Sequence, residues 1–410
     1  MRDSPPLLRH RPPRSLPIAA LVLLFAHSAH AQDAADERRC TGQWRATIEE
    51  RVASCTTLIN SGRYQAINLA ILHDNRGMAL RAKGDLTNAL NDFAAAIGLD
   101  PSYARAFANR GGVLFAQRDF DGAIADLDNA IRLDPTDANV FMTRGNAYDE
   151  KGDFDRAVAN YNEAIRLAPN YAAAFFNRGL AFRRKGELDL AIADYDQAIR
   201  LDAKNAAAFN NRGIAWFEKG EFDRAIADYN QAIRLDPTFA TAYNNRGDAW
   251  RGKGDFVRAT ADFDRAIKLS PQFALAYDNR GLVSYQTRDY ERAIADFDAA
   301  IRLDPKNAQA YDNRGNAYDD KGDRAAAIAD YDEAVRLDPK NAGIYYDRGI
   351  AFRGSGDLDR AIADLSEAIR LDPQHARAYN ERGYAFYQQR DFDRAIADDD
   401  EAIRLNPKFA

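Results

Sequence analysis

From Ala70 to Phe409 the chain repeats itself every 34 residues, ten times over and without an insertion. Arg-Gly recurs at 76–77, 110–111, 144–145, 178–179, 212–213, 246–247, 280–281, 314–315, 348–349 and 382–383. Proline recurs at 101, 135, 169, 237, 271, 305, 339, 373 and 407, with Ala203 the one exception. A length of 410 residues would by itself argue for two to four ordinary domains. The strict period overrides that count, because each unit of an array packs only on its neighbours.

Numbered 1–34 from Ala70, each repeat spells a helical hairpin. Position 4 is aromatic in nine repeats, among them Phe107, Phe209 and Tyr311. Position 8 is always Gly, which lets two helices approach closely, and positions 20 and 27 are always Ala. Position 24 is aromatic or Leu in nine repeats, so large and small residues interleave between helix A, helix B and the next helix A. Lys-Gly-Asp or a near relative separates the two helices. Gly84, Gly152, Gly186, Gly220, Gly254, Gly322 and Gly356 suit a left-handed stop for helix A, and Asp85, Asp153 and Asp323 are placed to cap helix B. Arg118, Arg288 and Arg390 take the Gly position in three repeats. The Asp-Pro that follows ends helix B, since proline cannot continue the backbone ladder.

These marks resemble the tetratricopeptide-repeat family, whose usual positions 4, 8, 11, 20, 24, 27 and 32 are all recognisable from Ala70 to Phe409. The resemblance implies an all-α fold, a right-handed superhelical solenoid of ten 34-residue helix–turn–helix repeats. It also implies that helix A lines a concave groove through positions 2, 5, 6, 9, 12 and 13, and that the groove binds peptides or partner proteins.

One departure from the family is systematic. Position 7, usually Leu, is Arg in every repeat, and position 23 is Asp in nine, with Asn160 once. Two readings stand: structural ion pairs along the stack, or a positive stripe for a ligand. Position 6 is Asn75, Asn109, Asn177, Asn211, Asn245, Asn279 and Asn313, with Thr143, Asp347 and Glu381 as exceptions. The row resembles the asparagine ladder in the superhelix of O-linked N-acetylglucosamine transferases, which holds an extended peptide by its backbone. A carboxamide offers a donor and an acceptor together, matching a peptide unit. The competing reading is that these Asn merely cap or solvate helix A. The groove also changes along its length: Phe176, Leu180, Ile214, Phe217, Leu282 and Tyr285 make the middle apolar, Asp312, Asp319, Asp320, Asp347 and Glu381 make the later part acidic, and Arg183, Arg184 and Arg251 place positive charge between.

The first 31 residues have the pattern of a signal peptide: Arg2, Arg9, Arg11 and Arg14, then an apolar stretch from Leu16 to Ala26, then Ala29-His30-Ala31. The apolar stretch is short for a membrane span, which needs about 20 residues. An uncleaved anchor is the alternative. Cleavage would start the mature chain at Gln32 and place it in the periplasm or outside the cell, with no membrane insertion. The two cysteines then point to a Cys40–Cys55 disulfide, against two thiols with Cys55 buried. Residues 50–59 match a helix B, and a lone helix there would cap the first repeat, joined to it by a loop from Asn60 to Leu69. The expected organisation is residues 1–31 as signal peptide, 32–69 as an N-terminal capping segment with a half-repeat helix, and 70–409 as ten tandem repeats. The arrangement resembles secreted bacterial tetratricopeptide proteins.

Chemistry is excluded more firmly than it is indicated. Three of the five histidines lie in the leader, which leaves His73 and His375 beside two cysteines, too few for a His/Cys metal site or a Cys-His pair. Residues 1–31 hold four Arg and one Asp, so removing them takes the formal charge from -6 to -9, and an acidic chain repels nucleic acid. Arg251-Gly252-Lys253-Gly254 lacks the spacing of a phosphate loop and is the inter-helix turn. Nearly every carboxylate recurs with the period, whereas an active site needs one asymmetric constellation. The expectation is a binding scaffold for proteins or peptides, not an enzyme, with no cofactor and no metal. A structural adaptor in envelope assembly or polysaccharide export is the second reading, and the array ends offer surfaces for homo-oligomers. Asp399, at position 24 of the last repeat, fits a face with no neighbour to cover it.

Overall fold

A computed structural model describes residues 33–43 and 45–409; the leader at 1–31 and Trp44 fall outside the described residues. The described residues form helices and turns, with no strand among them. Each of the ten repeats supplies an A and a B helix, from Ala66–Lys83 and Leu86–Leu99 to Ala376–Gln388 and Phe392–Leu405.

The turn residues set each hairpin. Gly84, Gly152, Gly254, Gly322 and others hold φ between 76° and 97°, while Arg118, Arg288 and Arg390 adopt the same left-handed region at φ 61–65°. For a residue with a Cβ that conformation costs about 1–2 kcal/mol. Asp85, Asp119, Asp153 and Asp323 each accept a hydrogen bond from the backbone N–H three residues on and so cap helix B. Position 8 is Gly because the ring at position 24 fills the space above it: a Cβ on Gly281 would lie 2.7 Å from Phe297 Cε1. Those rings, Phe93, Tyr161, Tyr229, Phe263, Phe297 and Tyr331, are buried against the Ala of positions 20 and 27. Burying each stabilises the stack by about 1.5–3 kcal/mol.

The Arg of position 7 is structural. Arg76, Arg110, Arg212, Arg246, Arg280, Arg314, Arg348 and Arg382 each grip the buried Asp at position 23 of their own repeat through two hydrogen bonds of 2.5–2.9 Å. Arg144 donates instead to Asn160 at 2.7 Å. A further guanidinium nitrogen crosses to position 25 of the repeat before, as from Arg246 to Asn230 at 2.6 Å and from Arg348 to Asp332 at 2.7 Å. From Arg110 onward each of these Arg also lies over the position-4 ring of its own helix, as Arg246 over Tyr243 at 5.5 Å. Burial works against the Asp92 carboxylate, but hydrogen bonds from Arg76 and His73 outweigh it and hold its pKa below the usual range.

The helices fall into two units, one up to Glu187 and one from Leu188. Within each unit helix B packs on the next helix A. Successive A helices also touch, whereas successive B helices do not among the described residues. The A-helix face is therefore the inner, closer-packed side of each stack.

The N-terminal segment corrects the expectation of a lone half-repeat helix. A short helix over 33–40 precedes Ile48–Asn60, and a disulfide joins them through Cys40 and Cys55. Ser54 Oγ donates to Asp36 at 2.8 Å inside this pair. The helix Ile48–Asn60 starts with a reciprocal cap between Thr47 and Glu50, and it packs on the first helix A. The connecting loop is also shorter than expected, because that helix A begins at Ala66, four residues before Ala70.

Candidate functional site

Six asparagines of the row donate their side-chain amide elsewhere in the protein, and the seventh accepts. Asn109 donates to Asp74 at 2.7 Å, Asn245 to Asn210, Asn279 to Asn244 and Asn313 to Asp278, each of these three at 3.1 Å. The common step runs from position 6 of one repeat to position 5 of the repeat before. Asn177 reaches Asn146 at 2.8 Å, a position-9 residue, and Asn211 turns back to the Ala207 carbonyl of its own helix at 2.9 Å. Asn75 accepts from Arg105 at 3.0 Å. The row is thus first a ladder between A helices. Asn279 and Asn313 are buried, whereas Asn75, Asn109, Asn177, Asn211 and Asn245 are more accessible.

Sequence reasoning counted position 5 among the groove positions but missed it as the partner of the asparagine row. Position-5 residues do not repeat, and their role follows from which side chain of the next helix they meet. Asp74 is fully buried and receives hydrogen bonds from Arg105 at 2.8 Å and Asn109 at 2.7 Å. Asp278 receives one from Asn313, yet burial outweighs it and raises the carboxyl pKa.

Most of the positive groove charge is already paired. Arg184 bonds Asp149 from the following repeat, and Arg251 bonds Asp248 on its own helix at 2.5–2.9 Å. Glu381 meets Arg353 at 3.0 Å. The apolar residues Leu180, Ile214 and Leu282 are each half-buried on the A-helix face of their own unit.

The acidic stretch of the second unit differs in kind. Burial, with Asp347 adding its charge, pushes the Asp312 carboxyl up to about 7. Burial also pushes Asp347 up to about 6, against a hydrogen bond from Asn316. Asp319 is raised by burial in spite of Arg324 beside it at 3.3 Å. Asp320 accepts from the Tyr285 hydroxyl at 2.7 Å. The described residues hold no group of three or more His, Cys, Asp or Glu arranged to bind a metal ion.

Comparisons with known proteins agree with this architecture. One tetratricopeptide-repeat model matches residues 75–138, 142–208 and 346–408, a TPR-repeat model matches 215–254 and 315–354, and a further tetratricopeptide-repeat model matches 249–312. No curated protein matches the chain. Among solved structures, a tetratricopeptide repeat protein from Parabacteroides merdae is 23% identical with a TM-score of 0.50, covering 61% of this chain and 98% of its own. The Cut9–Hcn1 hetero-tetramer of the APC/C is 16% identical with a TM-score of 0.53, covering 90% of this chain and 88% of its own. These likenesses speak to the fold alone. With repeat models matching from residue 75 to residue 408 and twenty helices built on the same recurring positions, the chain belongs to the tetratricopeptide-repeat family.

Proposed function

We propose that the chain is an exported scaffold that binds extended polypeptides along its A-helix faces. The observation that carries this reading is where the sequence stops repeating. Ladder, core and turn residues recur with the period, whereas the A-helix positions 2, 5, 9, 12 and 13 change from repeat to repeat. A surface that varies on an invariant frame is where specificity resides. Side-chain amides and half-buried apolar residues on that face suit an extended backbone and its alternate side chains. Export is supported by the leader pattern and by the Cys40–Cys55 disulfide.

A photo-crosslinking amino acid at Asn211 or Leu282 on the A-helix face should trap polypeptide, and one at Asp223 on a B helix should not. Equal trapping from both faces would end this reading. Intact mass of secreted protein should begin at Gln32 and show no free thiol. A mass retaining residues 1–31 would contradict the export assignment.

A further inference from the structure

The asparagine row breaks at Asp347 and Glu381 in the second unit, and at Asp347 carboxylate faces carboxylate. Where Asn245, Asn279 and Asn313 each donate to position 5 of the repeat before, repeat nine presents Asp347 to Asp312. Each carboxylate has a donor elsewhere, Gln309 Nε2 to Asp312 Oδ2 at 3.0 Å and Asn316 to Asp347, but neither can donate to the other across this step. Asp312 is 6% exposed, and its Oδ1 has no hydrogen-bond partner. Asp319 Oδ1 is likewise buried, with Arg324 Nε 3.3 Å away as its ion-pair partner.

The first unit shows what completes such a place. The run Arg144-Gly145-Asn146-Ala147-Tyr148-Asp149 recurs as Arg314-Gly315-Asn316-Ala317-Tyr318-Asp319. A buried tyrosine donates to the asparagine in both, Tyr161 to Asn146 and Tyr331 to Asn316, each at 2.9 Å. In the first unit the next helix A supplies Asn177 to Asn146 and Arg184 to Asp149. The matching positions in the second unit are Asp347 and Gly354. Arg324 lies over Gly354 and reaches toward Asp319, yet no Lys or Arg pairs with Asp312 or Asp347 among the described residues.

We propose that Asp312, Asp319 and Asp347 form a receptor for the ammonium or guanidinium group of a lysine or arginine on a polypeptide laid along the A helices of repeats eight and nine. The inference deepens the polypeptide-binding reading and rests on it. Arg324 stands at Asp319 where Arg184 stands at Asp149, and an external cation does the same for Asp312 and Asp347. It supplies the donors the ladder lacks and offsets the repulsion between the carboxylates. Asp347, less buried than Asp312, meets the ligand first, with Asp312 behind it. The groups facing the pair are Asp278 and Tyr285 on the preceding helix A, Asp319 and Asp320 on Asp312's own helix, Tyr331 and Arg324 on helix B of repeat eight, and Tyr346 and Arg353 beside Asp347. Burial holds part of the pair protonated near neutral pH, so cation binding strengthens as both ionise above about pH 7.

The test is calorimetric titration of the full chain with hexalysine and with fully Nε-acetylated hexalysine, at low salt and about pH 8. Wild type is compared with Asp312→Asn/Asp347→Asn and with Asp359→Asn/Asp393→Asn, which removes the same charge from exposed B-helix positions. The first double variant recreates the amide pair of Asn244 and Asn279, so it should fold and melt about 2–4 °C higher. Wild type should prefer hexalysine over the acetylated peptide by about tenfold or more. The Asp312/Asp347 variant should lose that preference and the charge-matched variant should keep it. Equal loss in both variants, or no preference in wild type, overturns the receptor. Equal binding of the two peptides by wild type would overturn it while leaving the polypeptide-binding reading standing, and crosslinking from Asn211 and Leu282 tests that reading separately.

Discussion

Repeat three with the A helix of repeat four in the first unit, and repeat eight with the A helix of repeat nine in the second, begin from the same residues and end in different states. Both have the Arg-Gly-Asn-Ala-Tyr-Asp run, and in both a buried tyrosine donates to the asparagine. In the first unit Asn177 and Arg184 close the arrangement with the chain's own donor and cation. In the second, with Asp347 and Gly354 at those positions, Arg324 meets Asp319, but among the described residues no Lys or Arg pairs with Asp312 or Asp347. The frame is identical, so the difference is chemical. A carboxylate paired from within holds the stack together; one left unpaired at a buried position is a cost that a binding partner can offset.

The largest effect that would sharpen this comparison lies in the arginine both regions share. Arg314→Leu strands the buried Asp330 carboxylate and should destabilise its hairpin by about 3–5 kcal/mol. Arg144→Leu leaves the neutral Asn160 without its donor and releases only the exposed Asp128 carboxylate, and about 1–3 kcal/mol is expected. Long repeat arrays depart from all-or-none unfolding, so local hydrogen exchange in each hairpin is the suitable readout. Equal losses at the two sites would mean that charge is not what the arginine secures.

Next in size is a change that makes the first unit resemble the second. Arg184→Leu removes the cation from Asp149, a group whose pKa burial already raises against Arg184's opposition. Because Arg184 is 42% exposed, the expected loss is about 1–2 kcal/mol, below that of a buried pair. Exchange rates unchanged around Asp149 would show the pair to be incidental.

The smallest effect is a pH dependence confined to the second region. Asp312 and Asp347 have folded pKa values above the ordinary carboxylate value, so the folded state holds their protons more tightly than the unfolded chain does. The stabilisation is fully present below about pH 4 and is lost as pH rises through about 6 and 7. Asp347→Asn restores a position-6 amide opposite Asp312 and should flatten that dependence. The melting temperature of wild type, followed from acid to neutral pH against the variant, checks it. Parallel curves would mean that the two carboxylates do not interact.

The hairpins were legible because each position answers to a local requirement that recurs ten times: Gly under a ring, Asp at a cap, Ala between helices. The Arg–Asp pairing was legible for the same reason, since both partners keep the period. The helix over 33–40 was missed because it is short and belongs to no repeat. The ladder was half legible. Asn at position 6 stood out as a row, but its partner at position 5 sits 35 residues earlier in sequence and varies among Asp and Asn. Asp347 was visible as an exception to the row. That it faces Asp312 depends on the register between neighbouring A helices, which no single repeat encodes.

The most direct measurement is carbon-13 NMR titration of the Asp carboxyls in the full chain, with Asp312 and Asp347 assigned by their Asn variants, with and without hexalysine. The account predicts that both titrate above the ordinary carboxylate range in the free protein and that both shift down when the peptide binds. Ordinary titration of both in the free protein, or raised values that the peptide leaves unmoved, would contradict it.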